Sequence, residues 1–300
     1  MSFTRRHFLM GAVAFPAFAH ASGRSVITLL HTNDTHSRLD PIPAGQGALS
    51  DRGGIARRAH LIRRIKAEQP NTLVLDAGDC FQGTPYFNKY LGTLDYELMS
   101  MAGYDASNLG NHDFDAGVDG LVKASKFARF TLLGSYDVTG TALNGLLQQH
   151  FIRELGGVKV GVFGLSVVLQ GLVHPKMCEG VKYVDPAEHA RKKVDELRAA
   201  GCDLVIAVSH LGHTGNSGEP GDLHWPQRVA GVDYVVGGHT HTFLTQPDIV
   251  QGPGGWRTSV MQVGFAGVNL GRADIIMEGR NRVQLAGASL GIGGTDAVPA

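Results

Sequence analysis

Short apolar runs recur along the chain at 26–30 (VITLL), 72–77 (TLVLDA), 130–134 (FTLLG), 158–165 (VKVGVFGL), 203–209 (DLVIAVS) and 233–238 (DYVVGG). Each is short and bounded by turn residues, so each predicts a buried strand. Between them the period changes. Residues 54–69 place Ile55, Ala59, Ile62 and Ile65 at helical spacing, with Arg and Lys on the other side. Residues 185–201 begin with an aspartate cap and a proline at the first position, and stop at Gly201. Alternating strand and helix predicts an α/β class. Beyond residue 255 the pattern becomes consecutive strands with Gly-rich turns, expected to be antiparallel. The tail GIGGTDAVPA (291–300) is expected to fray.

Composition narrows this picture. Three hundred residues at 43% hydrophobic content suffice for one large domain with a core. Lys plus Arg (27) balances Asp plus Glu (27), which argues against a broad surface for nucleic acid or anionic membrane. The first residues follow export order: Arg5 and Arg6, an apolar run Phe8 to Phe18 too short to span a bilayer, then Ala19-His20-Ala21 as a small-x-small cleavage site. TRRHFLM is the twin-arginine form of such a signal. Residues 1–21 are therefore expected to be a removable export signal rather than a buried helix. Residues 22–300 then form one domain, periplasmic or otherwise exported, with no membrane span. Cys80, Cys178 and Cys202 leave room for at most one disulfide, and Cys178 with Cys202 is one pairing open to it.

The candidate chemistry lies where the apolar runs stop. VITLLHTN leads into Asp34 and His36, and TLVLDAG into Asp79. ASNLG leads into Asn111 and His112, DLVIAVS into His210, and DYVVGG into His239 and His241. Ligands of open α/β sheets bind beyond the carboxyl ends of strands. Five ends bearing Asp, His and Asn are hard to assign to loop solubility alone, although each residue singly reads as an ordinary turn or hydrogen-bonded group. If the chain stays extended at D-x-H and H-x-H, residues two apart point the same way, and each pair can grip one ion. These are the usual ligand types for Zn, Mn and Fe.

The forms LLHTNDTH, DAGDCFQGTPYFN, LGNHDFDAG, HLGH and GGHTH resemble the calcineurin-like metallophosphoesterases, and the first three resemble their 5'-nucleotidase branch. The resemblance extends over about residues 25 to 285. It implies a four-layer sandwich, two facing mixed β-sheets flanked by helices, with two divalent metal ions (Mn, Zn or Fe) at one edge. By resemblance, Asp79 bridges the ions, Asp34, His36 and His241 hold one, and Asn111, His210 and His239 hold the other. Two such ions with two carboxylates and a bridging hydroxide keep a net positive charge, suited to a phosphate dianion. His112 is then left to meet the phosphoryl oxygen or the leaving group, with Asp115 fixing its tautomer.

Several neighbours stay outside this set. His31 is either a packing residue or a support for the ligands, and His213 either orients a ligand or touches phosphate. Cys80 is expected to be small and buried, and Asp113 structural. Arg57 and Arg58 are expected on a solvated helix face, with Phe87 and Trp225 in packing. The expected activity is hydrolysis of small phosphate monoesters, 5'-nucleotides in particular. UDP-sugar or cyclic-nucleotide hydrolysis, thiosulfohydrolase chemistry and a metal-free binding protein are the alternatives. Two-domain 5'-nucleotidases resemble this chain only through their catalytic half. Selectivity for the base is therefore expected to be weak, or to come from a separately encoded domain.

Overall fold

The structure, a computed structural model, describes residues 23–216 and 219–293; the export signal expected at 1–21 lies outside them. The strands are β1 (Arg24–Thr32), β2 (Thr72–Asp76), β3 (Ala106–Asn108), β4 (Thr131–Leu133), β5 (Leu147–Gln148), β6 (His150–Leu155), β7 (Val158–Leu165), β8 (Leu204–Ser209), β9 (Gly215–Asn216), β10 (Glu219–Pro220), β11 (Tyr234–Gly237), β12 (Asp248–Gln251), β13 (Arg257–Met261), β14 (Asn269–Glu278) and β15 (Asn281–Gly291). The helices are α1 (Ile55–Glu68), α2 (Pro85–Tyr90), α3 (Thr93–Ala102), α4 (Gly117–Ser125) and α5 (Pro186–Ala199). Two mixed sheets result, one ordered β15-β14-β1-β2-β3-β4-β5 and the other β12-β13-β11-β8-β7-β6.

Strand alternation explains the layering. Ile27, Leu29, Leu73 and Leu75 of the first sheet face Val160, Val162, Leu204, Ile206 and Val236 of the second, and form the core between them. Leu30 and Val74 turn outward to meet Ile62, Ile65, Tyr96, Met99 and Leu121 of the first helical layer. Val205, Ala207 and Val235 turn outward against Ala190, Val194 and Leu197 of α5. The expected four layers are therefore present. Asp185 caps α5 as expected, its side chain accepting from the Glu188 N–H at 2.9 Å.

Three expectations change. β13 runs parallel to β11, because the antiparallel β12 intervenes in sequence and β13 then inserts beside β11. Only β14 and β15 continue as an antiparallel pair, with β14 returning to the first sheet against β1. The tail does not fray at 291: Gly291 ends β15 and Ile292 is buried, its N–H bonded to the Val268 carbonyl. Residues 294–300 lie outside the described set.

Arg58 is also not solvated. It lies one turn before Ile62 on the buried stripe of α1 and is 1% exposed, with its guanidinium 5.9 Å from the Tyr104 ring centroid. Buried Asp76 and Asp95 both feel its charge. Arg57 stays at the surface and pairs with Asp51. All three cysteines are free; Cys178 packs on the first helical layer and Cys202 on the α5 side, with both sheets between them.

Candidate metal centre

The carboxyl ends of β1, β2, β3, β8 and β11 meet at one edge of the sandwich. The backbone there is not extended. Asp34, His36, Asp79, His239 and His241 all have positive φ, from 48° to 78°. Each such residue costs on the order of 1–2 kcal/mol, which the surrounding hydrogen bonds must offset. The loop after β1 lies along the loop after β2. Asp34 N–H donates to the Gly78 carbonyl (2.9 Å), His36 N–H to that of Asp79 (3.0 Å) and Ser37 N–H to that of Cys80 (2.8 Å).

Curling at these positions splits the H-x-H pair. Asp34, His36 and His241 converge as one group, while Asp79, His210 and His239 converge as another; within each, one ligand atom per residue lies within 4.8 Å of the others. The expectation that each two-apart pair grips one ion therefore fails for His239 and His241. His36 Nε2 is 3.0 Å from His241 Nε2, which lies 3.4 Å from Asp34 Oδ1. His210 Nε2 is 3.1 Å from Asp79 Oδ2 and 4.0 Å from Asp34 Oδ1, so the two groups adjoin.

The orientation of the rings is fixed from behind. His210 Nδ1 donates to the Ala77 carbonyl at 2.7 Å, and His36 Nδ1 to the Phe81 carbonyl at 3.2 Å. A carbonyl only accepts, so in the neutral rings both Nε2 lone pairs point into the site. Buried Asn111 Oδ1 has no hydrogen-bond partner, and His210 Nε2 faces the Asp79 and Asp34 carboxylates. Lone pairs and carboxylates thus face one another, as groups assembled around cations do. The carboxylates favour a positive charge at this point: burial opposes a charge on His210, but Asp79 and Asp34 raise its pKa to about 10, and the same field favours a cation bound at Nε2 in place of the proton. Burial also lowers His239, to about 4, with His210 adding to the shift.

Gly110 and Asp113 explain why LGNHDFD has its particular residues. A Cβ at Gly110 would stand 2.2 Å from Asp79 Oδ1, so only glycine fits. Asp113 is buried and acts as a backbone clamp. Its Oδ2 accepts from the N–H groups of Asp79 (3.0 Å) and Gly110 (2.8 Å), and its Oδ1 from that of Cys80 (3.1 Å). His112 lies at the rim, one-third exposed. Its N–H donates to Asp79 Oδ1 at 2.8 Å, and its Nδ1 is 2.8 Å from Asp115 Oδ2. The hydrogen bond to Asp115 raises the His112 pKa, against the effect of burial. A cavity of about 360 Å³ opens over Asp79, Asn111, His112, His239 and His241.

Three supporting residues escape sequence reasoning. Asn33 takes the Val263 N–H on its Oδ1, and its Nδ2 donates to the Gly264 carbonyl and to Asp34 Oδ2 (2.6 Å). Gln262 ties down the H-T-H loop through Thr242 N–H and the Gly238 carbonyl. Phe265 stacks on His241, with centroids 5.0 Å apart and planes 15° apart. The signal at Asn33 and Gln262 is a polar residue closing an apolar run, which does not by itself distinguish a support from an ordinary loop residue. His31 is a core residue, its Nε2 3.2 Å from the Tyr234 hydroxyl between the sheets. His213 faces Asp248 at 2.8 Å and joins neither group. Cys80, Phe87 and Trp225 are buried as expected.

A model of the calcineurin-like phosphoesterases matches residues 27–243. The snake venom 5'-nucleotidase of Gloydius brevicauda is 33% identical over 297 residues, covering 92% of this chain and 49% of that one. The 5'-nucleotidase precursor of Thermus thermophilus superposes with a TM-score of 0.81 at 35% identity, covering 90% of this chain and 55% of that one. The sulfate thiohydrolase SoxB of the same organism superposes at 0.76 with 20% identity, covering 91% and 58%, a likeness of fold alone. The chain spans about half the length of the curated relatives it matches.

Proposed function

The chain belongs to the calcineurin-like phosphoesterase family, and from that premise we propose that it is an exported, dinuclear-metal phosphohydrolase that cleaves phosphate monoesters, 5'-nucleotides among them. The observation that supports this most is the convergence of six candidate ligands as two adjoining groups, with His36 and His210 each spending Nδ1 on a carbonyl. In this proposal Asp34, His36 and His241 would hold one divalent ion, Asn111, His210 and His239 the other, and Asp79 would serve both. Bound there, two ions would supply Lewis acidity and charge neutralisation for phosphoryl transfer to water. The ligand types suit Mn, Zn or Fe, and availability would decide among them.

The chain's own residues do the rest. Asp115 holds Nδ1 of His112, so the remaining ring nitrogen is available to the substrate. From the rim it can donate to a phosphoryl oxygen and protonate the leaving alkoxide. Its main-chain N–H steadies Asp79, so one residue couples the proton donor to the shared carboxylate. Asp113 and Gly110 hold that carboxylate's backbone, and Phe265 fixes the plane of His241.

The test is release of inorganic phosphate from AMP and from 4-nitrophenyl phosphate by the purified, Mn-loaded chain. Turnover that a chelator removes and Mn restores is the expected result. Metal binding with no release from either ester would overturn the reading.

A further inference from the structure

A second cavity, of about 430 Å³, lies beside the metal centre between residues 38–40 and α2. Arg38 lines both cavities. Its main-chain N–H bonds to the Thr35 carbonyl, but among the described residues its guanidinium meets no hydrogen-bond, ionic or ring partner. The walls around it are fixed. Thr84 Oγ1 donates to the Ser37 carbonyl at 2.8 Å, and the Tyr86 hydroxyl donates to Asp40 Oδ2 at 2.7 Å. Asp40 is thereby engaged across the cavity. Lys89 lies over the Tyr90 ring at 5.2 Å, so the second cavity presents two cations, one occupied carboxylate and two phenol rings.

A half-buried arginine whose guanidinium has no partner among the described residues, lining both a phosphoryl-sized site and an aromatic cavity, is placed to take an anion. We propose that Arg38 grips a second anionic group on the leaving side of the substrate, and that the cavity of Tyr86 and Tyr90 seats the rest of the leaving group. The substrate class this fits is a nucleoside 5'-diphosphate. Its terminal phosphoryl group would occupy the metal cavity, its inner phosphate would meet Arg38, and its base would lie on the tyrosine rings. Water adds to the terminal phosphorus as the bond to the bridging oxygen breaks. The electron pair stays on the released nucleoside monophosphate, and the water's protons pass to the phosphate product and the solvent. The inference rests on the phosphohydrolase reading and extends it to a specificity residue that this chain supplies itself.

The test compares kcat/KM for ADP and for 4-nitrophenyl phosphate, whose leaving group has no second phosphate, in the Mn-loaded wild type, Arg38→Ala and Arg38→Lys. Arg38→Ala is expected to lower the ADP to 4-nitrophenyl phosphate ratio by about 10–100-fold, the worth of one charge-assisted contact, mainly through KM for ADP. Arg38→Lys should recover part of it, since charge remains without the planar fork. Equal loss on both substrates, or an unaltered ratio, overturns the subsite while leaving the phosphohydrolase reading intact. A wild type that holds metal but hydrolyses none of ADP, AMP and 4-nitrophenyl phosphate overturns both.

Discussion

Asp113→Asn is nearly isosteric, yet the clamp makes its cost predictable. Burial and the neighbouring Asp79 charge push the Asp113 pKa up to about 7; above it the carboxylate accepts three buried main-chain N–H bonds and has no donor to offer in return. An asparagine can keep its oxygen toward Asp79 and Gly110, and its amide nitrogen then faces the Cys80 N–H at about the present 3.1 Å. That arrangement loses one charge-assisted bond, leaves one buried donor unpaired and weakens the other two. The sum is about 3 kcal/mol. For a domain of this size it lowers Tm by roughly 5–10 °C. The positional effect is separate. Asp79 sits at φ 55°, and the clamp offsets that strain. Freed, its carboxylate drifts from His210, and the weaker metal should bind at least about tenfold less tightly, near 1.4 kcal/mol. Thermal unfolding and chelator-competition titration measure the two effects. Asp233→Asn is the control. That buried acid pairs with Arg198 at the opposite end of β11, so it should lower Tm without altering metal affinity. A normal Tm for Asp113→Asn, or metal affinity that falls equally in both variants, would refute the clamp.

Other consequences follow from the same contacts. His112→Ala should keep the metal content and lower turnover on alkyl phosphates by roughly 10²–10⁴, with a smaller loss on 4-nitrophenyl phosphate, whose leaving group needs no proton; metal analysis with both assays checks it. Phe265→Ala removes the stack on His241, worth about 0.5–1.5 kcal/mol, and should weaken metal binding roughly two- to tenfold in chelator competition. His189 is buried in α5, and burial with nearby Lys193 lowers its pKa to about 4. Its folded-state pKa is below the unfolded value, so its contribution is full above pH 6.5 and fades as pH falls through 4, on the order of 3 kcal/mol in all. In chelator-treated protein, His189→Leu should flatten the fall of Tm between pH 6.5 and 4; parallel curves would contradict this.

Much of the architecture is legible because buried strands are short apolar runs. The run at 158–165 coincides with β7, and those at 203–209 and 233–238 match β8 and β11 within a residue at each end. β6 leaves no such trace, because as an edge strand with exposed Arg153 and Glu154 it has no clean period. The convergence of Asp34, His36, Asp79, Asn111, His210, His239 and His241 follows from one rule, that parallel strands deliver their carboxyl ends to one edge. How those residues divide does not follow from spacing, because positive φ at five of them breaks the two-residue alternation. Arg58 misleads for a different reason. Charge marks a side chain as solvated unless buried partners are known, and Asp76, Asp95 and Tyr104 come from three separate segments. Asn33, Gln262 and Phe265 act on the ligands through contacts that only the assembled loops create.

The most direct test is the metal stoichiometry and turnover of Asp79→Asn beside the wild type. The wild type should bind two Mn ions per chain and release phosphate from AMP. The variant exchanges the shared carboxylate for a neutral amide, a poor ligand for two cations, and should hold one ion or none with turnover nearly abolished. Two tightly bound ions and normal turnover in Asp79→Asn would contradict the account.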